Sequence, residues 1–383
     1  MKRRLFTPGP VEVPPRVLLA MAQPALHHRS AEFEALLDDV LRRLKPVFGT
    51  TRPVLPLAAS GTGGMEAVVA NLARRGEPAL VVQAGRFGER WGELLAAYDV
   101  PAVNLDVEWG QVPAPASLDE VLARHREVKV VFLTHSETST GVLVDIESLA
   151  QVARAHSCLV AVDCITSACA HRIRMDAWGL DAVVSGSQKG FMLPPGLSFI
   201  ALSEAAESRA ASANLPRFYF DLTAMKAAHA KRTTPFTPAV SLVVGLAESM
   251  AMLEEEGLDA VIERHAQLGQ AARVAMAALG LAIFPARPSN VVTVFRTPGG
   301  VDGDVVRKEL EQRFGVKIAG GQGRLKGQIL RLGHLGYYDA TDLLGALAAL
   351  ERVLIDLGVK AEAGTAVAEA AEVFAGRVPA RTS

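Results

Sequence analysis

Asp181-Ala-Val-Val-Ser-Gly-Ser-Gln-Lys-Gly190 is the stretch on which the fold of this chain turns. It starts as an apolar run too short for a helix and ends on Gly186-Ser-Gln-Lys189, where small residues stop the run and leave one lysine. A short unbroken apolar run bounded by turn residues reads as a strand buried on both faces. Four more such runs lie upstream, at 53–59, 78–83, 128–134 and 158–162, each separated from the next by a helical stretch. Strands alternating with helices predict an α/β fold, a mostly parallel central sheet joined by right-handed crossovers and flanked by helices.

Working outward, residues 31–47 place Phe33, Leu36, Leu37, Val40, Leu41 and Leu44 at helical spacing. Residues 240–279 read as long helices with a break near Gly257. A strand at 290–295, a helix at 304–314, a glycine-rich loop at 320–327, a strand at 329–332 and a helix at 340–357 then predict a smaller C-terminal α+β domain. The division is an N-terminal arm at 1–22, a large domain at 23–265 and a small domain at 266–383. The Ala- and Glu-rich tail beyond Lys360 reads as one more helix, peripheral to the rest.

The 383 residues are 50% hydrophobic and 21% charged, which is globular composition. Forty basic against forty-one acidic residues leave a net charge of −1, so nothing electrostatic draws the chain to nucleic acid or an acidic membrane. Small molecules are the expected partners. Cys158, Cys164 and Cys169 match neither a zinc or redox pair nor a disulfide framework and fit a reducing compartment. Thr7-Pro-Gly-Pro interrupts the basic start before a signal-peptide core begins, and no uncharged apolar run reaches the roughly 18 residues of a membrane helix. The expected location is the cytoplasm.

Three features at predicted strand ends carry chemistry. Ser60-Gly-Thr-Gly-Gly64 precedes a helix predicted at 65–74, where backbone N–H groups and the helix dipole suit a phosphate, although a tight turn needing glycine explains it as well. Asp163 ends the run 158–162 at the sheet edge where ligands bind; capping a following helix is the plain alternative. Lys189 is followed by apolar Phe191-Met-Leu-Pro-Pro-Gly, so a desolvated amine nucleophile stands against an ordinary loop lysine. Phosphate loop, acid and lysine together match pyridoxal 5'-phosphate, which needs a lysine for its aldehyde, a carboxylate for its ring nitrogen and donors for its phosphate.

Ser185-Gly-Ser-Gln-Lys-Gly, together with Thr7-Pro-Gly-Pro, Ser60-Gly-Thr-Gly-Gly-Met-Glu-Ala, His135-Ser-Glu-Thr-Ser-Thr-Gly-Val, Val162-Asp163, Phe236-Thr-Pro-Ala-Val and Arg331-Leu-Gly-His-Leu-Gly, resembles the class V aminotransferases. The likeness is to the alanine–glyoxylate and serine–pyruvate branch of fold-type I pyridoxal phosphate enzymes. It implies that Lys189 is the Schiff-base lysine and proton shuttle, and that Asp163 pairs with the ring nitrogen. By the same resemblance Thr62, Gly63, Gly64 and Gln188 contact the phosphate, Phe87 stacks on the ring and Thr138 lies near the ring hydroxyl. Arg331 would clamp the substrate carboxylate. Thr237 would reach the phosphate of a neighbouring subunit, which implies a homodimer with shared active sites. Thr234 departs from the family, which has a tyrosine there.

The implied reaction moves the amino group of alanine or serine to glyoxylate or pyruvate. Aspartate- or phosphoserine-type transamination is the alternative. A cysteine desulfurase-like lyase is disfavoured because residues 300–330 contain no cysteine, and a regulatory cofactor-binding protein because no DNA-binding stretch accompanies the motifs. His27, His28 and His135 lack metal-site spacing, so no metal is expected.

Overall fold

The computed structural model describes residues 2–377. Strand β1 (Arg4–Phe6) comes first. The large sheet takes β2 (Val54–Ala58), β3 (Ala79–Gln83), β4 (Ala102–Asp106) and β5 (Val130–Thr134), skips the small hairpin β6 (Ser136–Glu137) and β7 (Val142–Leu143), and is completed by β8 (Leu159–Asp163), β9 (Ala182–Gly186) and β10 (Leu197–Leu202). Its spatial order is β2-β10-β9-β8-β5-β3-β4. Strand β10 runs antiparallel to β2 and β9, and every other pair is parallel.

Successive residues of these strands point to opposite faces. Val131, Leu133, Val160, Val162 and Val183 enter one buried cluster, and Val130, Phe132, Ala161 and Val184 the other. Helices cover both faces, which is why the predicted strands read as apolar runs, with polar residues such as Thr134, Asp163 and Ser185 near their carboxyl ends. The five expected runs are β2, β3, β5, β8 and β9. Two strands of this sheet were not expected from the sequence: β4, an edge strand whose exposure alternates along Ala-Val-Asn-Leu-Asp, and β10, which is fully buried.

Strands β11 (Val292–Arg296), β12 (Val316–Gly320) and β13 (Ile329–Gly333) join β1 in a second sheet of order β1-β12-β13-β11. The loop expected at 320–327 therefore begins on the last residue of a strand. Phe6, Phe295, Leu330 and Leu332 pack there with Leu268 of helix Leu258–Ala278 and Leu347 of helix Ala340–Asp356. Helix Leu258–Ala278 runs unbroken through residue 265, giving Val261 to the large-sheet core and Leu268 to the small one. The helical break falls at Gly257, with φ 86°.

The tail is not peripheral. Helix Thr365–Phe374 buries Ala366, Ala370 and Val373 in the small core, and the buried Glu351 carboxylate accepts from Gly364 N and Ala366 N, each at 2.9 Å. Its Ala spacing is a helix–helix contact, not a solvated face. Among the described residues no helix is long and apolar enough to cross a membrane.

Candidate active site

The carboxyl ends of β2, β3, β5, β8 and β9 share one edge of the parallel sheet, where loops leave the strands and ligands bind in such folds. Asp163 is the last residue of β8 and is buried. Its Oδ1 accepts from Ile165 N at 2.7 Å, a local bond that is all that remains of the helix-cap alternative. Burial pushes the carboxyl up to about 7; the Glu137 carboxylate pushes the same way, while Ile165 N–H, Arg90 and Lys189 oppose it. Lys189 follows β9 by three residues, and its Nζ donates to the Pro8 carbonyl at 2.7 Å. Desolvation brings the amine down to about 8, with Arg331 and Arg90 pushing the same way and Asp163 against. Gly9, at φ +134°, lies so close that a Cβ there would run into Nζ. The Thr7-Pro-Gly-Pro loop thus forms one wall of the lysine's enclosure.

After β2 the chain turns into helix Gly61–Leu72, which starts four residues earlier than predicted, so the glycines form its first turn. No side chain caps it, and the N–H groups of Gly61, Thr62 and Gly63 are those a helix leaves without an internal partner. Gly64 differs: its N–H donates to the Ser60 carbonyl at 3.1 Å, and a Cβ would run into Ser198 Oγ of β10. Its glycine is required for helix–sheet packing.

Phe87 opens helix Arg86–Ala97 after β3. The helix is capped from across the site by the buried Glu137 carboxylate, which accepts from Phe87 N and Gly88 N at 2.9 Å each, Ser139 N at 3.1 Å and Ser139 Oγ at 2.5 Å. Burial pushes Glu137 up and these donors hold it down. Trp91, fully buried against Phe132 with ring centres 4.8 Å apart, pins the same helix by donating Nε1 to the Leu133 carbonyl at 3.2 Å. One turn after Phe87, the Arg90 guanidinium lies 4.9 Å from the Phe87 ring centre and donates to Thr62 Oγ1 at 3.1 Å.

Arg331, on β13, is buried; it donates Nε to the Gly320 carbonyl at 2.8 Å and Nη1 to the Thr138 carbonyl at 3.0 Å. Among the described residues no carboxylate lies within 4 Å of it. Burial pushes this guanidinium down to about 10, although the more distant Glu137 raises it. A planar cation held by two carbonyls, with donors to spare and no acid, is built to receive a carboxylate.

Thr62, Phe87, Asp163, Gln188 and Lys189 line one cleft, together with Arg90 and Ser136, which the sequence reading did not single out. Gln188 Oε1 is buried without a hydrogen-bond partner. Thr138 is buried beside the cleft with its carbonyl on Arg331. Thr237 is exposed and does not line the cleft of its own chain. Thr234, where the family has tyrosine, keeps its hydroxyl on the Phe236 carbonyl at 2.7 Å. Glu137 was legible as an acid inside the quoted His135–Val142 stretch, and Arg90 as the basic residue three positions after Phe87.

The cleft fits pyridoxal phosphate on the chemistry of its groups: an amine of lowered basicity, a buried carboxyl whose ionised form wants a cationic partner, and an uncapped helix start. The class V aminotransferase family profile matches residues 5–330. A serine–glyoxylate aminotransferase of Methylorubrum extorquens is 36% identical, covering 96% of this chain and 95% of its own length. A Synechococcus protein named the small subunit of a soluble hydrogenase is 43% identical over 97% of this chain and 98% of its own. The crystal structure of ureidoglycine–glyoxylate aminotransferase from Bacillus subtilis superposes with a TM-score of 0.92 at 31% identity, covering 98% of each chain. With the motifs, the fold and the site in agreement, this chain belongs to the class V aminotransferases and is a pyridoxal phosphate-dependent transaminase.

Proposed function

We propose that the enzyme moves the amino group of a small L-amino acid, alanine or serine, to a small 2-oxo acid, glyoxylate or pyruvate. The observation that carries this reading is the low-basicity amine of Lys189 and the buried acid Asp163 in one cleft at the edge of the large sheet, with the acid-free guanidinium of Arg331 on the second sheet held by the Thr138 carbonyl beside that cleft. The serine–glyoxylate and ureidoglycine–glyoxylate relatives differ in named donor and share glyoxylate, which supports it as acceptor.

Bound pyridoxal phosphate supplies an aldehyde for the amino group and a ring that draws off the electrons released when the substrate Cα loses its proton. Lys189 Nζ would hold the aldehyde and, as a free amine of lowered basicity, would serve as the base that takes the substrate Cα proton and the acid that returns it. Asp163, ionised opposite a cationic partner, holds the proton on the ring nitrogen. Arg331 fixes the carboxylate so that the Cα–H bond faces the lysine. Phe87 supports the ring face, and Thr62, Gly63 and Gln188 hold the phosphate. All three cysteines are buried, and burial pushes their thiols up, which speaks against persulfide chemistry.

The exposed Thr237 serves the cleft of a second subunit in this reading, so the working form is a homodimer; Leu18 and Leu19, 50% and 66% exposed on helix Pro15–Met21, offer apolar surface for it. The unpaired thiols fit a reducing compartment, and we place the enzyme in the cytoplasm. The test is a half-reaction screen in which each L-amino acid is mixed with the loaded enzyme and conversion of the cofactor to its pyridoxamine form is followed. Alanine or serine should convert it and glyoxylate should reverse the change. Conversion by aspartate or phosphoserine alone would overturn the substrate assignment, and sulfide release from cysteine would overturn the reaction.

A further inference from the structure

The charges in the cleft do not balance on the residues assigned so far. A phosphate monoester brings about −1.5 to −2 charge at neutral pH, against which the first turn of helix Gly61–Leu72 sets roughly half a positive charge. Lys189 is taken by the aldehyde and Arg331 by the substrate carboxylate. Thr234 has spent its hydroxyl on Phe236. One cation in the cleft wall remains, Arg90.

Its setting is that of an anion receptor. Nη1 donates to Thr62 Oγ1 at 3.1 Å, so the guanidinium sits at the uncapped start of the helix that carries Thr62 and Gly63. Among the described residues no carboxylate lies within 4 Å of it, although its neighbours on the same helix, Arg86 and Glu89, are drawn into ion pairs. The Phe87 ring, 4.9 Å away and one helical turn back, keeps the planar group over an aromatic face while its remaining donors stay unspent. A helix start and an arginine without a carboxylate partner, both positive, converge in the wall of one cleft.

We infer that Arg90 is a phosphate-binding residue of the cofactor site, supplying the full positive charge that the helix start and the hydroxyl donors lack. The inference rests on the pyridoxal phosphate reading and adds to it a residue and a physical role. Because Arg90 and Phe87 belong to one helix, whose start is held by Glu137, ring stacking and phosphate binding are set by a single rigid element. Arg90 also reaches Asp163 and Lys189 through its charge, lowering the pKa of each. A phosphate seated on the guanidinium weakens that reach and leaves Asp163 to its ring nitrogen.

The experiment compares wild type, R90Q and R90K, each stripped of cofactor and reconstituted with pyridoxal phosphate or with pyridoxal, which has the same ring and aldehyde but no phosphate. R90Q should bind pyridoxal phosphate about 10- to 100-fold more weakly, the range for losing a charge-assisted hydrogen bond, with pyridoxal affinity unchanged. R90K should fall between, keeping the charge and losing the fork. Inorganic phosphate should slow pyridoxal phosphate uptake by wild type and have little effect on R90Q. Equal weakening of both ligands would overturn the inference, since Arg90 would then act through Phe87 or the fold. Unchanged pyridoxal phosphate affinity in R90Q, with wild type loading normally, would overturn this inference alone. A wild type that takes up no pyridoxal phosphate would overturn the cofactor reading with it.

Discussion

Stripped enzyme should capture pyridoxal at a rate that follows the neutral fraction of Lys189, and the cleft sets where that fraction rises. Desolvation, seconded by Arg331 and Arg90, brings the amine from its ordinary 10.5 to about 8. At pH 7 about one amine in eleven is then neutral, against roughly one in three thousand for an unperturbed lysine, a gain of roughly 300-fold in reactive form. Pyridoxal is the right probe because it carries no phosphate of its own to titrate. Stopped-flow absorbance from pH 6 to 10 should give a capture rate rising through about pH 8. The variants carry signs: R331Q removes a repelling cation and should move the midpoint up, whereas D163N removes an attracting carboxylate and should move it down. Folding stability follows the same proton. Between about pH 8 and 10.5 the unfolded chain still binds a proton that the folded site has released, so this group makes the stripped enzyme more stable as pH rises through that window. A wild-type midpoint near 10, or both variants shifting the same way, would refute the desolvated-amine argument.

Further outcomes follow from neighbouring contacts. Glu137→Ala removes the acceptor of four buried or part-buried donors and should cost at least about 3 kcal/mol in urea unfolding, at roughly 1–3 kcal/mol per orphaned group; Glu137→Gln, which keeps an acceptor oxygen, should recover part of it, and an E137A protein of wild-type stability would contradict the capping role. Gly9→Ala places a methyl group against Lys189 Nζ and strains a left-handed backbone, so cofactor uptake measured by absorbance should slow markedly; uptake at the wild-type rate would mean that the Thr7–Pro10 loop is not a wall of the site. Glu351→Ala uncaps helix Thr365–Phe374 and should cost about 1–2 kcal/mol, with faster amide exchange confined to that helix and the core it covers; no change would restore the tail to the periphery.

The layout of the large sheet was legible because a strand buried on both faces reads as an unbroken apolar run, as Val130–Leu133 does in β5. Edge strand β4 lacks that signal, since half of Ala102–Asp106 faces solvent. Antiparallel β10, Leu-Ser-Phe-Ile-Ala-Leu, is buried throughout but has Ser198 inside its apolar run, and its direction is a long-range matter that no local pattern records. The placement of Lys189 and Asp163 in one cleft was legible because both stand at the carboxyl ends of adjacent parallel strands. Arg90 and Glu137 were harder: their partners Thr62 and Phe87 lie 28 and 50 residues away in sequence, and only the fold brings them within hydrogen-bond reach. The tail was misjudged because alanine on a helix face reads as exposed until a second helix is found against it.

Covalent trapping bears most directly on the whole scheme. Loaded enzyme is reduced with borohydride, digested and mapped by mass spectrometry. A pyridoxyl group should appear on Lys189 and be missing from K189A. The same group on a different lysine, or no adduct in fully loaded protein, would remove the amine at 189 from the chemistry and the assignments of Asp163, Arg90 and Arg331 along with it.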